Sequence, residues 1–353
     1  MTTSREIVRP DRLDLDSLGR RDYHVALEHD SIWGEHWIPL TVWVGPEAKP
    51  NKGLVALGAN HGNEYEGPCA LKNLLHEIKI DDVRGRIILI PVLNPAAFWC
   101  GQRESREDDG VNLNRAFVEG AGIIPALNGI THRIAQFVRE YIWPRVSVVL
   151  DLHAGGNIAR FALNSSFHWP GDSEHSRLAQ QTALGYGTPF VIAYRDPAPG
   201  YLPSEGDRLG KITIGSELGW GTSVYEEGVR CARRGVLHAA ILHDQLQGDM
   251  NSFWSGDEDQ IVVSIPSLDC SVRAPYFGHF EPLVPCGTKV DKGRPVALLH
   301  DFARIDEKPL QLRAGIDGYV IAQAWHAPVR QGQWVVLIGE EVRLLRYSTE
   351  YRL

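Results

Sequence analysis

Two textures follow one another along the chain. Between residues 21 and 47, apolar and polar positions half-alternate around Tyr23 to Leu27 and Trp37 to Val44. Period-two patterning over two neighbouring runs predicts an antiparallel hairpin or meander. The rhythm then changes. Leu54 to Ala59 (LVALGA) and Arg86 to Asn94 (RIILIPVLN) are short unbroken apolar runs, and Cys69 to Ile78 between them has helical spacing. Uninterrupted apolar strands fit a sheet covered on both faces by helices. The pattern returns as a helix through His132 to Tyr141 followed by the run Val146 to Ala154, and again as a strand over Lys211 to Gly219. A helix from Val229 to Gln247 closes this part. The expected fold is α/β, in which ligand sites gather at the carboxyl ends of the strands.

From Val262 the chain breaks into short β-like runs separated by Gly and Pro, without a helical period. Two fragments, VPCGTKVDKGRPVALLHD and WHAPVRQGQWVVLIG, each place a turn glycine before an apolar strand, which predicts an all-β unit with an internal two-fold repeat. The expected organisation is therefore a larger unit over residues 1 to 255, carrying the chemistry, and a smaller β-rich unit over 262 to 353.

With 353 residues, 43% of them hydrophobic and 23% charged, the chain can bury a sizeable core, and neither disorder nor a fibrous structure is indicated. A formal charge of −8 without a basic stripe argues against a nucleic-acid partner. The polar start lacks the apolar stretch of a secretory signal, and no run is long enough to span a bilayer. The five cysteines include no CxxC pair and are odd in number, the usage of a reduced cytoplasmic protein. Cys100 reads as packed rather than reactive.

Polar clusters fall at the expected strand ends. In GANHGNEYEG, His61 and Glu64 stand three apart, after a buried strand and before a helix; in DLHAGG, His153 ends another strand. Two His, a carboxylate and an open fourth position form the ligand set of a catalytic zinc site. Each piece has a plain alternative: an HxxE pair is often a solvated helix face, and a strand-end His is often structural. The loop RESREDDGVNLNRAF carries Arg103, Arg106, Asn112, Asn114 and Arg115. Arginine forks pair with planar carboxylates, so such a loop suits an acid-bearing substrate, although a solvated charged loop has the same composition. Glu217 in SELGWG ends a strand and could take a proton from an activated water, or be a merely exposed acid.

HGNE, NLNRAF, DLHAGG and SELG, in that order, resemble the succinylglutamate desuccinylase/aspartoacylase family, relatives of the zinc carboxypeptidases. The resemblance spans roughly residues 50 to 220, and the β-rich tail matches the family's C-terminal β domain. It implies a mixed sheet covered by helices on both faces, one zinc ion per chain on His61, Glu64 and His153, and Glu217 as base and then acid. Asn114 and Arg115 match the pair that holds a substrate carboxylate. Arg106 best matches the arginine that polarises the scissile carbonyl, with Arg103 as near competitor. The substrate would be a small-molecule N-acyl amino acid. IPVLNPAAF, DGVNLNRAF and THRIAQFVREYIWPR are closest, within the family, to deacetylases acting on N-acetyl-2,4-diaminobutyrate in ectoine breakdown. A homodimer is compatible with a fold of this kind.

Three rival readings remain at this point. A non-catalytic binding protein would have lost a ligand or the base, and all four positions are present. A metallocarboxypeptidase would need access for a peptide, which a β tail that narrows the site opposes. The tail also resembles a lipoyl or biotinyl carrier with Lys308 as the modified lysine, but EKPLQ lacks the flanking Met or Asp of such hairpins. The tail therefore reads as a cap or assembly surface.

Overall fold

The computed structural model describes residues 6–28, 34–106, 108–118, 129–195, 198–249 and 260–343. The expected boundary at residue 255 lies outside them. β1 (Glu6–Val8) runs parallel to β2 (Gly19–Glu28), which turns back on β3 (Glu35–Val44) with Tyr23 opposite Leu40 and Val25 opposite Ile38. The alternating run thus forms the antiparallel hairpin its pattern predicts. The sheet continues through β4 (Gly53–Gly58), β5 (Arg86–Ile90), β6 (Val146–His153), β7 (Ala159–Phe161), β8 (Asn164–His168), β9 (Phe190–Tyr194), β10 (Ile212–Glu217) and β11 (Ile261–Ser264). Its order is β1-β2-β3-β5-β4-β6-β10-β8-β9-β11, with β7 off this path. β4, β5, β6 and β10 are mutually parallel where they pair, whereas β8 runs antiparallel to β10, so the sheet is mixed.

Helices cover both faces, for the reason the unbroken apolar strands suggest. On one side Leu54, Ala56, Leu150 and Ile214 pack with residues of α1 (Glu66–Glu77), including Leu71 and Leu74. On the other, Val55, Leu57 and Val149 pack with Ile134 and Phe137 of α3 (Ile130–Phe137) and with Leu93, just ahead of the Pro-started α2 (Pro95–Trp99). α4 (Glu174–Leu184) and α6 (Glu226–Leu242) join the first layer; α5 (Leu202–Arg208) joins the second through Leu202. Burying both faces of the central strands is the dominant favourable term for such a core.

Helix boundaries differ from the periodicity. α3 stops at Phe137 and passes into a π turn over Val138–Ile142. α6 begins at Glu226, because the Tyr225 backbone N–H is captured by the Glu66 side chain, and ends at Leu242, before Asp244 takes a left-handed φ of 57°. Cys100 is exposed, not packed, because it follows the short α2 on its outer side.

The C-terminal segment is all β, as expected: β12 (Ser271–Arg273), β13 (Gly278–Pro282), β14 (Lys289–Val290), β15 (Pro295–His300), β16 (Leu310–Arg313), β17 (Gly318–Ala324), β18 (Pro328–Val329) and β19 (Trp334–Glu341). It encloses its own core around Val296, Leu299, Val320 and Val336. It is nonetheless not separate from the large sheet, since β11 pairs with β19 and β7 pairs with β17. The repeat is visible in the pairings. β14 and β15 flank Gly293, β18 and β19 flank Gly332, and both glycines have φ near +80° (86° and 80°). The partners exchange: β14 and β19 pair with β17, while β15 and β18 pair with β13.

At the amino ends of the parallel strands a single side chain ties several loops. Arg86, 4% exposed, donates to the carbonyls of Leu15, Lys49 and Arg145 and to Asp16 Oδ1. Replacing it with Met leaves the buried Leu15 carbonyl unpaired, at a cost of about 1–3 kcal/mol, and frees the partly buried carbonyls of Lys49 and Arg145. We expect Arg86→Met to lower unfolding free energy by about 2–3 kcal/mol in urea denaturation, with metal content unchanged; a shift too small to resolve would mean that water replaces the guanidinium freely.

Candidate metal centre

The ligand loop is built where β4 ends. Ala59 adopts a left-handed φ of 50°, and the loop is anchored by Leu93 N–H to Gly58 O and Asn94 N–H to Ala59 O. The chain can therefore turn sharply and deliver His61 and Glu64 before α1 begins. His153 is the last residue of β6, and Glu217, the last of β10, lies beside it in the parallel register. His61, Glu64 and His153 are 3%, 2% and 8% exposed, which removes the solvated-helix reading of the HxxE pair.

One ligand atom from each of His61, Glu64 and His153 lies within 4.8 Å of the others. Nδ1 of each imidazole is 2.9 Å from a different oxygen of Glu64. The distal nitrogens face other groups: His61 Nε2 is 3.0 Å from Asn112 Oδ1, and His153 Nε2 is 2.9 Å from Asp151 Oδ2. An acceptor at each Nε2 favours a proton there and leaves Nδ1 as the atom that faces Glu64 and that a metal would take in place of a proton, the arrangement in which outer partners orient metal-bound histidines. The donor set and its outer partners fit a divalent metal. Asn60 Nδ2 in turn donates to Asp151 at 3.3 Å.

Electrostatics are severe here. Burial would raise the Glu64 carboxyl, but His61 and His153 outweigh it and hold it well below the usual carboxylate range. Glu64 also accepts from Ala154 N–H at 3.0 Å and Arg103 Nη1 at 2.9 Å. Burial opposes a charged His153, yet Asp151 and Glu64 on either side push it well above the ordinary imidazole value. His61 is lowered, chiefly by burial. A dication would replace the proton that His153 shares with Glu64, since ligating imidazole must be neutral.

Glu217 is half-buried, and no protein group satisfies its Oε2 among the described residues. Burial, then the Glu64 charge, pushes its carboxyl up to about 8; His153 and Arg103 act in the opposite sense. A cation on the three ligands would draw it down again. Asn114 is buried, its Nδ2 3.5 Å from His153 Nε2, and its Oδ1 accepts from Leu202 N–H at 2.9 Å. Arg115 is exposed, with its guanidinium 3.7 Å above the Tyr201 ring and Nη1 donating to Asn114 O. The flat face is thus held while the rest of the fork stays available to a planar anion.

The two competing arginines separate. Arg103 is half-buried at Glu64. Arg106, the better sequence match for the carbonyl-polarising group, is exposed and lines a different cleft of about 380 Å³ with Glu35, His36, Trp99 and Asp108. Three residues of spacing thus separate an arginine at the Glu64 cluster from one at that cleft. Asp151 went unread in the sequence, although it stands two before His153 on the same strand and therefore on the same face. Asn112, Tyr201 and Asn60 gain roles only from folding, because their partners are distant in sequence.

Asp151→Asn retains shape but weakens the acceptor at His153 Nε2. We expect zinc affinity, measured by competition with a chromophoric chelator, to fall by roughly 10–100-fold; unchanged affinity would mean that Asp151 does not orient the ligand.

Comparison with known proteins gives the family and the fold. The model of the succinylglutamate desuccinylase/aspartoacylase catalytic domain matches residues 50–242. The N-alpha-acetyl-L-2,4-diaminobutyric acid deacetylase of Halomonas elongata is 32% identical over 319 residues, covering 90% of this chain and 89% of that protein. Among solved structures, the product-bound ectoine utilization protein EutE (DoeB) from Ruegeria pomeroyi superposes with a TM-score of 0.82 at 29% identity, over 93% of this chain and 98% of that one. A succinylglutamate desuccinylase/aspartoacylase from Rhodobacter sphaeroides gives 0.85 at 26% identity, over 94% and 98%. The matched segment contains the buried His-Glu-His cluster and Glu217, and the chain belongs to the succinylglutamate desuccinylase/aspartoacylase family of zinc-dependent amidohydrolases.

Proposed function

We propose that this protein hydrolyses the amide bond of a small N-acyl amino acid with one zinc ion per chain, and that N-acetyl-2,4-diaminobutyrate is its substrate. The observation that carries the reading is the buried cluster of His61, Glu64 and His153 with Glu217 in register beside it. The substrate assignment is supported by the Halomonas elongata deacetylase and the Ruegeria pomeroyi protein, which align over nearly the whole chain. The five free cysteines suit a reducing, cytoplasmic location.

Bound zinc would supply a Lewis acid that makes water nucleophilic near neutral pH. His61 and His153 would hold it through Nδ1, and Glu64 through its carboxylate. Glu217 takes the proton from the attacking water and returns it to the departing amine; its burial favours the proton-carrying form needed for the second transfer. Arg103, rather than Arg106, faces the developing negative charge on the acyl oxygen, because it is the arginine that reaches the ligand cluster. Asn114 and Arg115 hold the substrate carboxylate, with Tyr201 bracing the guanidinium. A desuccinylase or aspartoacylase would use the same groups and differ in the acyl and amine pockets.

The reading is tested by amine release from N-acetyl-2,4-diaminobutyrate, N-acetylaspartate, N-succinylglutamate and a C-terminal dipeptide, with zinc-loaded and chelator-treated protein. Release from the first compound, lost on chelation and restored by zinc, is expected; preference for another acyl amino acid would reassign the substrate, and preference for the dipeptide would make the protein a peptidase. Glu217→Gln should retain zinc and lose turnover by a factor on the order of 100 or more. Full activity in that variant would move the base elsewhere.

A further inference from the structure

Glu66 lies outside the ligand set, yet it is 1% exposed and stands at the first turn of α1, two residues beyond Glu64. Its Oε1 accepts the Tyr225 backbone N–H at 2.9 Å, at the position that opens α6. Glu66 is itself the first residue of α1, so its side chain stands at that helix's amino end as well. One buried carboxyl therefore sits at the amino ends of two helices, where backbone donors and the helix dipole favour an acceptor.

The segment it touches is the one that leaves Glu217. After Glu217 the chain passes through Leu218 and Gly219, continues to Tyr225 and enters α6. A Cβ on Gly219 would overlap Glu66 Oε1, and a Cβ on Gly228 would overlap the Leu218 carbonyl and lie 3.0 Å from Glu66 Cγ. The Glu66 side chain is thus clasped by both ends of this segment. Contacts so close leave little slack. The β6 ladder sets Glu217 beside His153, but β4 and β10 are not neighbours in the sheet. The loop bearing His61 and Glu64 reaches the base-bearing segment through Glu66.

We propose that Glu66 is a positioning residue that fixes Glu217 relative to the metal-binding loop. The inference rests on Glu217 being the general base of the proposed reaction. A base must stand within hydrogen-bond reach of the proton it removes, and a displacement of about 1 Å can cost on the order of 100-fold in rate. Asn60 and Asp151 flank His153, whose strand and loop hold Glu217 and Leu218 directly; Glu66 ties the loop bearing His61 and Glu64 to the segment that follows Glu217.

The test compares Glu66→Ala, Glu66→Met and Glu66→Gln with the wild-type full chain, each loaded with zinc and checked for metal stoichiometry. Met fills the same space without an acceptor, which covers the case in which the Ala variant does not fold. The Ala or Met variant should bind zinc stoichiometrically, keep KM within about twofold and lose kcat by roughly 10–100-fold. Hydrogen exchange should quicken over residues 218–228. Glu66→Gln, which keeps an acceptor for Tyr225 N–H, should recover most of both. Wild-type kcat in the Met variant would overturn the proposal, as would a kcat loss explained by lost zinc or by a fall in thermal stability that Gln does not rescue. The exchange comparison needs no substrate: if the wild-type protein hydrolyses nothing in the panel, unchanged exchange over 218–228 in the Met variant still overturns the positioning, while faster exchange sustains it and leaves the substrate reading alone at fault. A fully active Glu217→Gln would instead remove the base on which the inference rests.

Discussion

The burial of the Glu64 carboxylate constrains everything around it. An ionised carboxylate at 2% exposure cannot be paid for by water, so protein charges and donors must surround it. His61, His153, Arg103 and the Ala154 N–H do so, and Asp151 and Asn112 hold the two imidazoles in turn. Such a cluster is a poor source of stability, because desolvation offsets much of the attraction. Its value is chemical: a preorganised anion between two nitrogen donors suits a dication, and Glu217 beside it is raised by burial first and by the Glu64 charge second.

This seat exists because of a register. β4, β6 and β10 run parallel, so their carboxyl ends emerge at one edge of the sheet and bring the His61 loop, His153 and Glu217 together. Side chains at the amino ends, such as Arg86, serve the opposite task of holding loops and strands in place. The polarity of a parallel sheet thus divides its two ends between stability and chemistry. The C-terminal unit is tied into this scheme by strand pairing: β7, which follows the His153 loop, adds to β17, and Trp325 N–H donates to Ile158 O. Trp325 also packs against Gly221 of the segment beyond Glu217. The two halves of the chain therefore meet close to the site, and a folding defect in the β unit would be felt there.

Much of this was legible in local pattern. Unbroken apolar runs marked the strands buried on both faces, half-alternation marked β2 and β3, and repeated turn glycines marked the paired fragments of the C-terminal unit. His61, Glu64, His153 and Glu217 stood out because each ends a strand or follows one closely, and strand ends are positions that periodicity can locate. Helix ends were less legible, because α6 starts where a distant side chain, Glu66, captures the Tyr225 N–H. The choice between Arg103 and Arg106 was beyond reach for a similar reason: a loop has no period, and its path decides which side chain turns inward.

By itself, then, the sequence determined the strands, the layers they require and the chemical identity of the candidate ligands, since these follow from side-chain polarity at short range. Tertiary structure alone decided which nitrogen of each histidine faces Glu64, which arginine joins the cluster, and that Asp151 and Asn112 stand against the two imidazoles while Glu66 reaches the Tyr225 N–H. Those outcomes depend on distances between residues far apart in the chain, which only the packed register of the sheet and the fixed path of its loops can set.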